Sequence, residues 1–183
     1  MALPSAASIT QHRFAAADRL FFDTNIWFFI HGPQSVAPGE RLGERSRVYS
    51  GALNRALKAG STIEVNALIL AEFVNLVLRA EYRQHFEGLT SYKEFRASEE
   101  YRATAQFCAS ATTSILQQST YVDFGCNPVS MRDLVERFGE DQADFNDALI
   151  VHHCRQRDLI LVTDDGDFRG SGLRLLSHNP KYF

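Results

Sequence analysis

Residues 145–167 read FNDALIVHHCRQRDLILVTDDGD, and this stretch decides the fold. Asp144 to Gln156 is predicted as a helix, Leu159 to Thr163 is the clearest buried strand in the chain, and Asp164-Asp165-Gly166-Asp167 is the turn beyond it. From Phe145 to Gln156 the helix would span roughly 18 Å. The strand from Asp158 to Thr163 returns about 20 Å. The two lengths nearly cancel, so Asp147, near the helix start, comes back to the edge where Asp165 emerges.

Working outward, Arg19-Leu20-Phe21-Phe22 is a second short apolar run, and it stops at Asp23-Thr24-Asn25. It reads as a strand ending in a polar turn, after which Gly32, Pro33, Pro38 and Gly39 break the chain. Glu40 to Lys58 has helical spacing with basic residues between its apolar ones, and Thr62 to Val65 is a third strand. Asn66 is placed to cap a helix whose Ala67, Leu68, Leu70, Ala71, Phe73, Val74, Val77 and Leu78 make an almost wholly apolar surround. Residues 91–118 give a long helical pattern opened by a Ser91/Glu94 capping box. Tyr121 to Phe124 is a short strand, Val129 to Phe138 a helix, and Leu173 to Leu176 a last strand. Strands alternating with helices mean an α/β fold with a central, mainly parallel β-sheet flanked by helices. The expected organisation is a polar leader over residues 1–18 and one domain over 19–183, with 88–118 as a helical elaboration.

A chain of 183 residues buries roughly 70% of its unfolded surface, so neither disulfides nor a structural metal is needed to hold it together. Cys108, Cys126 and Cys154 share no C-x-x-C spacing and suit a reducing, cytoplasmic setting. No window is long and apolar enough for a membrane span. The net charge of −3 hides an asymmetry: residues 40–102 hold 10 Lys/Arg and 9 Asp/Glu, whereas residues 123–167 hold 4 and 11. That acidic stretch is interleaved with Phe124, Phe145, Leu149, Ile150 and Leu161, so something structured carries the carboxylates.

Asp23 and Asp165 both sit at or just past the carboxyl end of a parallel strand, the edge where open α/β sheets bind ligands. Glu72 lies within the most apolar helix, where an unpaired carboxylate costs several kcal/mol unless a cation is near. A blander reading puts Glu72 on a narrow polar strip with Asn75 and Arg79, which share its face. Asp147 also suits a helix N-terminus, and Asp165 or Asp167 a turn, regardless of function. Taken together, four carboxylates from four segments converging on one sheet edge suit a hard cation, Mg²⁺ or Mn²⁺, and metal-assisted phosphoryl transfer.

Phe22-Asp23-Thr24-Asn25, Glu72, Asp147-Ala148-Leu149-Ile150 and Leu161 to Phe168, in that order, resemble a PIN domain, and the small single-domain form is similar to the VapC-like ribonuclease toxins of type II toxin–antitoxin systems. The resemblance spans residues 19–176. It implies a three-layer fold, an acidic pocket holding one or two Mg²⁺ or Mn²⁺ ions, endonucleolytic cleavage of RNA, a homodimer and a small antitoxin protein as partner. It assigns catalytic and metal-binding roles to Asp23, Glu72, Asp147 and Asp165, with Asp167 as a more variable metal ligand. Asn25 and Thr163 fall on polar positions that orient acids or water. Asp164, where relatives often carry a basic or amide residue, and Asp144, one turn before Asp147, are either supporting groups or solvated. The chain is longer than the small toxins, so an RNA-processing nuclease outside any toxin system, or a catalytically silent RNA-binding scaffold, stands beside the toxin reading.

Other chemistries fit poorly. A haloacid-dehalogenase-like phosphatase needs a second Asp where this chain has Asn25, and a receiver domain needs a late Lys, but none lies between Lys93 and Lys181. Leu176 stands where a calcium loop needs its bidentate Glu. His152, His153 and Cys154 point about 100° apart on a helix and have no fitting partner for zinc. For RNA contact the basic run Arg41, Arg45, Arg47, Arg55 and Lys58 is a candidate phosphate track, with a solvated helix face as the alternative.

Overall fold

In the computed structural model, which describes residues 6–33, 40–140 and 144–183, the two strands that end in acidic turns lie side by side. Strand β2 (Arg19–Phe22) pairs in parallel with β5 (Ile160–Val162), Phe21 opposite Leu161. Around this pair the sheet is completed by β1 (Ala6–Ser8), β3 (Thr62–Val65), β4 (Thr120–Tyr121) and β6 (Leu175–Ser177), in the order β1-β6-β5-β2-β3-β4, with every pairing parallel. From β2 the chain steps outward one way through β3 and β4, then returns to the other side of β2 and steps outward through β5 and β6. The seam between β2 and β5 is therefore a topological switch point, where the carboxyl ends of the strands leave a crevice.

The helices are α1 (Thr24–His31), α2 (Glu40–Lys58), α3 (Ala67–His85), α4 (Tyr92–Phe95), α5 (Glu99–Gln118), α6 (Pro128–Glu140) and α7 (Phe145–Arg157). Successive residues of β2 show the layers. Phe21 packs on His153 of α7 at 4.9 Å between ring centroids, and Phe22 packs on Trp27 of α1 at 5.2 Å. Side chains alternate across a strand, so α1 and α7 cover opposite faces. Helix α1 packs on α2 and α3, and α3 on α5, while α6 and α7 pack on each other. This is a three-layer α/β arrangement, with Leu20, Phe21, Phe22, Ile63, Val65, Leu161 and Val162 at its centre. Among the described residues no helix is long and apolar enough to cross a membrane.

Four features depart from the sequence reading. Residues 6–8 do not form a leader: β1 pairs with β6, and Ile9 beyond it is fully buried in the core. Residues 24–31 are helical, although TNIWFFIH has the β-branched and aromatic content of a strand. Asp23 caps this helix, and it stops at Gly32, where an added Cβ would lie 2.4 Å from the Phe28 carbonyl oxygen. The 91–118 pattern is two helices, because Ser98 is extended and accepts a hydrogen bond from the Tyr101 N–H, opening α5. The Ser91/Glu94 capping box is present but serves only the single turn of α4. Strand β4 spans Thr120–Tyr121 rather than Tyr121 to Phe124.

Helix α3 starts where the Asn66 side chain accepts from the Ile69 N–H at 3.2 Å in a fully buried setting. Asn66→Ala is expected to cost about 1–2 kcal/mol, which lowers a thermal melt by roughly 2–8 °C.

Candidate active site

The acids come from four segments, Asp165 and Asp167 sharing the loop beyond β5. Asp23 follows β2 and is 6% exposed. One of its oxygens accepts from the Thr24 N–H at 2.7 Å, and the other accepts from Asn25 Nδ2 and from the Thr163 hydroxyl, each at 2.8 Å. Thr163 directly follows β5, and its hydroxyl also accepts the Asp165 N–H at 3.0 Å. A hydroxyl from one strand end thus ties Asp23 to the loop that carries Asp165. Asp165 in turn accepts the Asp167 N–H at 3.0 Å, and its carbonyl accepts the Tyr182 hydroxyl. Glu72 of α3, half-buried, accepts from the Thr24 hydroxyl at 2.8 Å. Asp147 stands in the first turn of α7, and exposed Asp144 caps that helix, accepting the Asn146 N–H at 2.7 Å.

The charges add up rather than cancel. Burial, offset in part by its hydrogen bonds and reinforced by Glu72 and Asp165, pushes the Asp23 carboxyl up to about 7. Burial first, then the charges of Asp23, Asp144, Asp165 and Asp167, pushes Asp147 up to about 7 as well. No basic side chain is among the leading causes of either shift. Asp23 therefore feels Glu72 and Asp165, and Asp147 feels Asp23, Asp144, Asp165 and Asp167. They are not closed into a ready shell: among the described residues no three acidic, His or Cys side chains are grouped tightly enough to hold a metal as they stand. In kind the donors fit a hard divalent cation, being carboxylates with hydroxyl and amide oxygens beside them.

Asp164 has a different fate. Its side chain takes partners other than those of Thr163 and Asp165 and is buried rather than solvated, while its N–H donates to Asn25 Oδ1 at 3.4 Å. It is 8% exposed, ion-paired with Arg45 Nε at 2.7 Å, and accepts from the Tyr49 hydroxyl at 2.7 Å, while its carbonyl accepts from Asn179 Nδ2. The Tyr49 oxygen also accepts the His178 N–H at 3.0 Å. Thr24, Tyr49, Asn179 and Tyr182 thus support the loops of the site without having been singled out. Thr24 was marked by its place between Asp23 and Asn25, whereas the others carried no local signal.

Two of the five basic residues of the run on α2, Arg45 and Arg55, are committed elsewhere. Arg45 holds Asp164 and lies over the Phe29 ring; Arg55 donates to the Ile9 carbonyl at 2.8 Å and lies over Phe14. Arg47 and Lys58 are exposed, and the side chain of Arg41 falls outside the described residues. His153 is packing material, stacked on Phe124, its pKa pulled down to about 4 chiefly by burial.

No family model matches the chain, and no curated protein matches its sequence. Eight chains of solved structures do match. One belongs to the crystal structure of VapBC2 from Rickettsia felis bound to a DNA fragment from their promoter; it is 19% identical, with a TM-score of 0.52 over 87% of this chain and 98% of that one. At that identity the likeness is one of fold, and it agrees with the PIN-like three-layer architecture.

Proposed function

We propose that this chain is a metal-dependent endoribonuclease that hydrolyses RNA phosphodiester bonds, and that it is the toxin half of a toxin–antitoxin pair. What supports the reading is the acid-rich edge at the switch point: carboxylates come from four segments, and burial together with neighbouring acids raises Asp23 and Asp147 to about 7. Such a cluster stores an electrostatic penalty that a divalent cation relieves.

Asp23, Glu72, Asp147 and Asp165 would hold Mg²⁺ or Mn²⁺, with Asp167 as a further oxygen donor. The cation would supply a lowered pKa for an attacking water and neutralise charge developing on the phosphate. The protein's own contribution is orientation. Asn25 and Thr163 fix the rotamer of Asp23, Thr24 fixes Glu72, and Tyr182 and Thr163 pin the loop that carries Asp165. The likeness to a VapBC2 chain supports an antitoxin partner, and a homodimer and cytoplasmic location belong to the same proposal.

Adding Mn²⁺ to EDTA-treated protein at neutral pH should raise its melting temperature. At roughly 100 times the dissociation constant the gain is about 2.7 kcal/mol, or roughly 5–10 °C. An unchanged melt across millimolar Mn²⁺ and Mg²⁺ would remove the metal from the reading. A melt that rises while RNA stays intact would favour the silent scaffold.

A further inference from the structure

One face of α3 continues away from the acid cluster. Glu72, Asn75, Arg79 and Arg83 are three, seven and eleven residues apart from the first, so they line one stripe roughly 17 Å long. Two cavities follow that stripe and meet at Arg79. The first, about 420 Å³, is bounded by Glu72, Asn75, Leu76, Arg79 and Asn146 of α7. The second, about 300 Å³, is bounded by Arg79, Tyr82, Arg83, Glu87 and Tyr92. Both guanidinium groups are exposed, and neither has a hydrogen-bond or ion-pair partner among the described residues. That sets them apart from Arg45 and Arg55 on α2. Tyr82 is braced, its hydroxyl donating to the Thr90 carbonyl at 2.8 Å and its ring edge-on to Tyr92 at 5.1 Å. Two free cations beside a half-buried aromatic pair are what a single strand needs, since its phosphates are tracked by charge and its splayed bases stack on rings. A duplex keeps its bases stacked inside and cannot use Tyr92.

We propose that single-stranded RNA lies along α3, with Arg79 and Arg83 on successive backbone phosphates, Tyr92 under a base, and Asn75 and Asn146 flanking the strand as it reaches Glu72. The track rests on the nuclease reading for its direction, toward the acids, and not for its existence. It moves the phosphate contacts from α2 to α3.

The test is fluorescence anisotropy of a short, labelled, mixed-sequence single-stranded RNA on the full chain without divalent metal, across a salt series. The variants are R79E/R83E on α3 and R47E/K58E on α2, with circular dichroism to verify folding. R79E/R83E should bind about tenfold or more weakly, and its log–log salt slope should be shallower by about 1.4, the share of two phosphate contacts on a single strand. R47E/K58E should stay within about twofold of wild type, and Tyr92→Ala should lose several-fold at an unchanged salt slope. Equal losses from the two charge reversals, an unchanged slope in R79E/R83E, a preference for duplex, or no binding by the wild type would overturn the track. The binding is read without metal and without cleavage. Absent cleavage with an α3-dependent slope therefore sinks the nuclease and keeps the track, whereas metal-dependent cleavage with α3-independent binding does the reverse.

Discussion

Asp147→Asn should lower metal-dependent RNA cleavage by at least about 100-fold, the scale of losing one preorganised charge at a reacting centre, and should at the same time make the metal-free protein more stable above about pH 7. The two signs come from one cause. The Asp147 carboxyl is raised to about 7 by burial and by the acids around it. A carboxyl whose folded-state pKa is raised stabilises the fold below its unfolded value, near 4, and that stability is lost as pH rises through about 7. The wild-type apo protein should therefore weaken between about pH 4 and 7, and Asn, which never ionises, should flatten that loss. Asp147 is partly solvated, so a gain of roughly 1–3 kcal/mol, or about 2–12 °C in the melt near pH 8, is the expected scale. A residue conserving only the fold would lose activity and stability together. Asp23 is the poorer variant for this purpose, because its carboxylate accepts from Thr24, Asn25 and Thr163, and an amide there must turn a donor toward donors.

The largest effect on stability is expected from breaking the ion pairs of Glu64, whose partners Arg19 and Arg157 stand at the start of β2 and the end of α7. Glu64 is 3% exposed in β3 and accepts from Arg157 Nε at 2.6 Å and Nη2 at 3.2 Å, and from Arg19 Nη2 at 2.7 Å. The pair ties β3 to β2 and to the end of α7. Burial pushes the Glu64 carboxyl up, but the bonds and charges of Arg157 and Arg19 outweigh it and hold it below the usual range. Breaking a buried pair costs about 3–5 kcal/mol, which lowers the melt by roughly 6–20 °C. Arg157→Ala should reach the upper end, since it leaves the buried carboxylate with Arg19 alone. Glu64→Ala should fall lower, because both arginines are partly exposed and can rehydrate. A depressed carboxyl contributes stability that is present above its unfolded pKa and lost as pH falls, so Glu64→Gln should be less stable than wild type at neutral pH, and the gap should narrow as pH falls below the usual carboxylate range.

What could be read from the chain was local. Phe22-Asp23 and Thr163-Asp164-Asp165 announce strand ends because an apolar run stops abruptly at acids, and Asn66 announces α3 because a capping side chain precedes an apolar helix. The return of Asp147 to the same edge follows from helix and strand rise alone. Strand β1 escaped because Ala6-Ala7-Ser8 is short and weakly patterned, and its place is fixed only by β6 at the other end of the chain. Helix α1 escaped because its composition favours a strand, while its cap, Asp23, and its packing against β2 through Trp27 override that preference. The fate of Asp164 was illegible for a related reason: Arg45, Tyr49 and Asn179 reach it from distant parts of the sequence.

The most direct test of the acidic crevice as a hydrolytic metal site is the end chemistry of cleaved RNA. A labelled single-stranded RNA is incubated with the protein in Mg²⁺, Mn²⁺ or EDTA beside Asp147→Asn. A metal-activated water attacking phosphorus leaves a 5′-phosphate on one product and a 3′-hydroxyl on the other, without involving the ribose 2′-hydroxyl. The expected result is cleavage with those ends in Mg²⁺ or Mn²⁺, none in EDTA, and little from Asp147→Asn. Cleavage that persists in EDTA or in the variant, or that leaves 2′,3′-cyclic phosphate ends, would contradict the account.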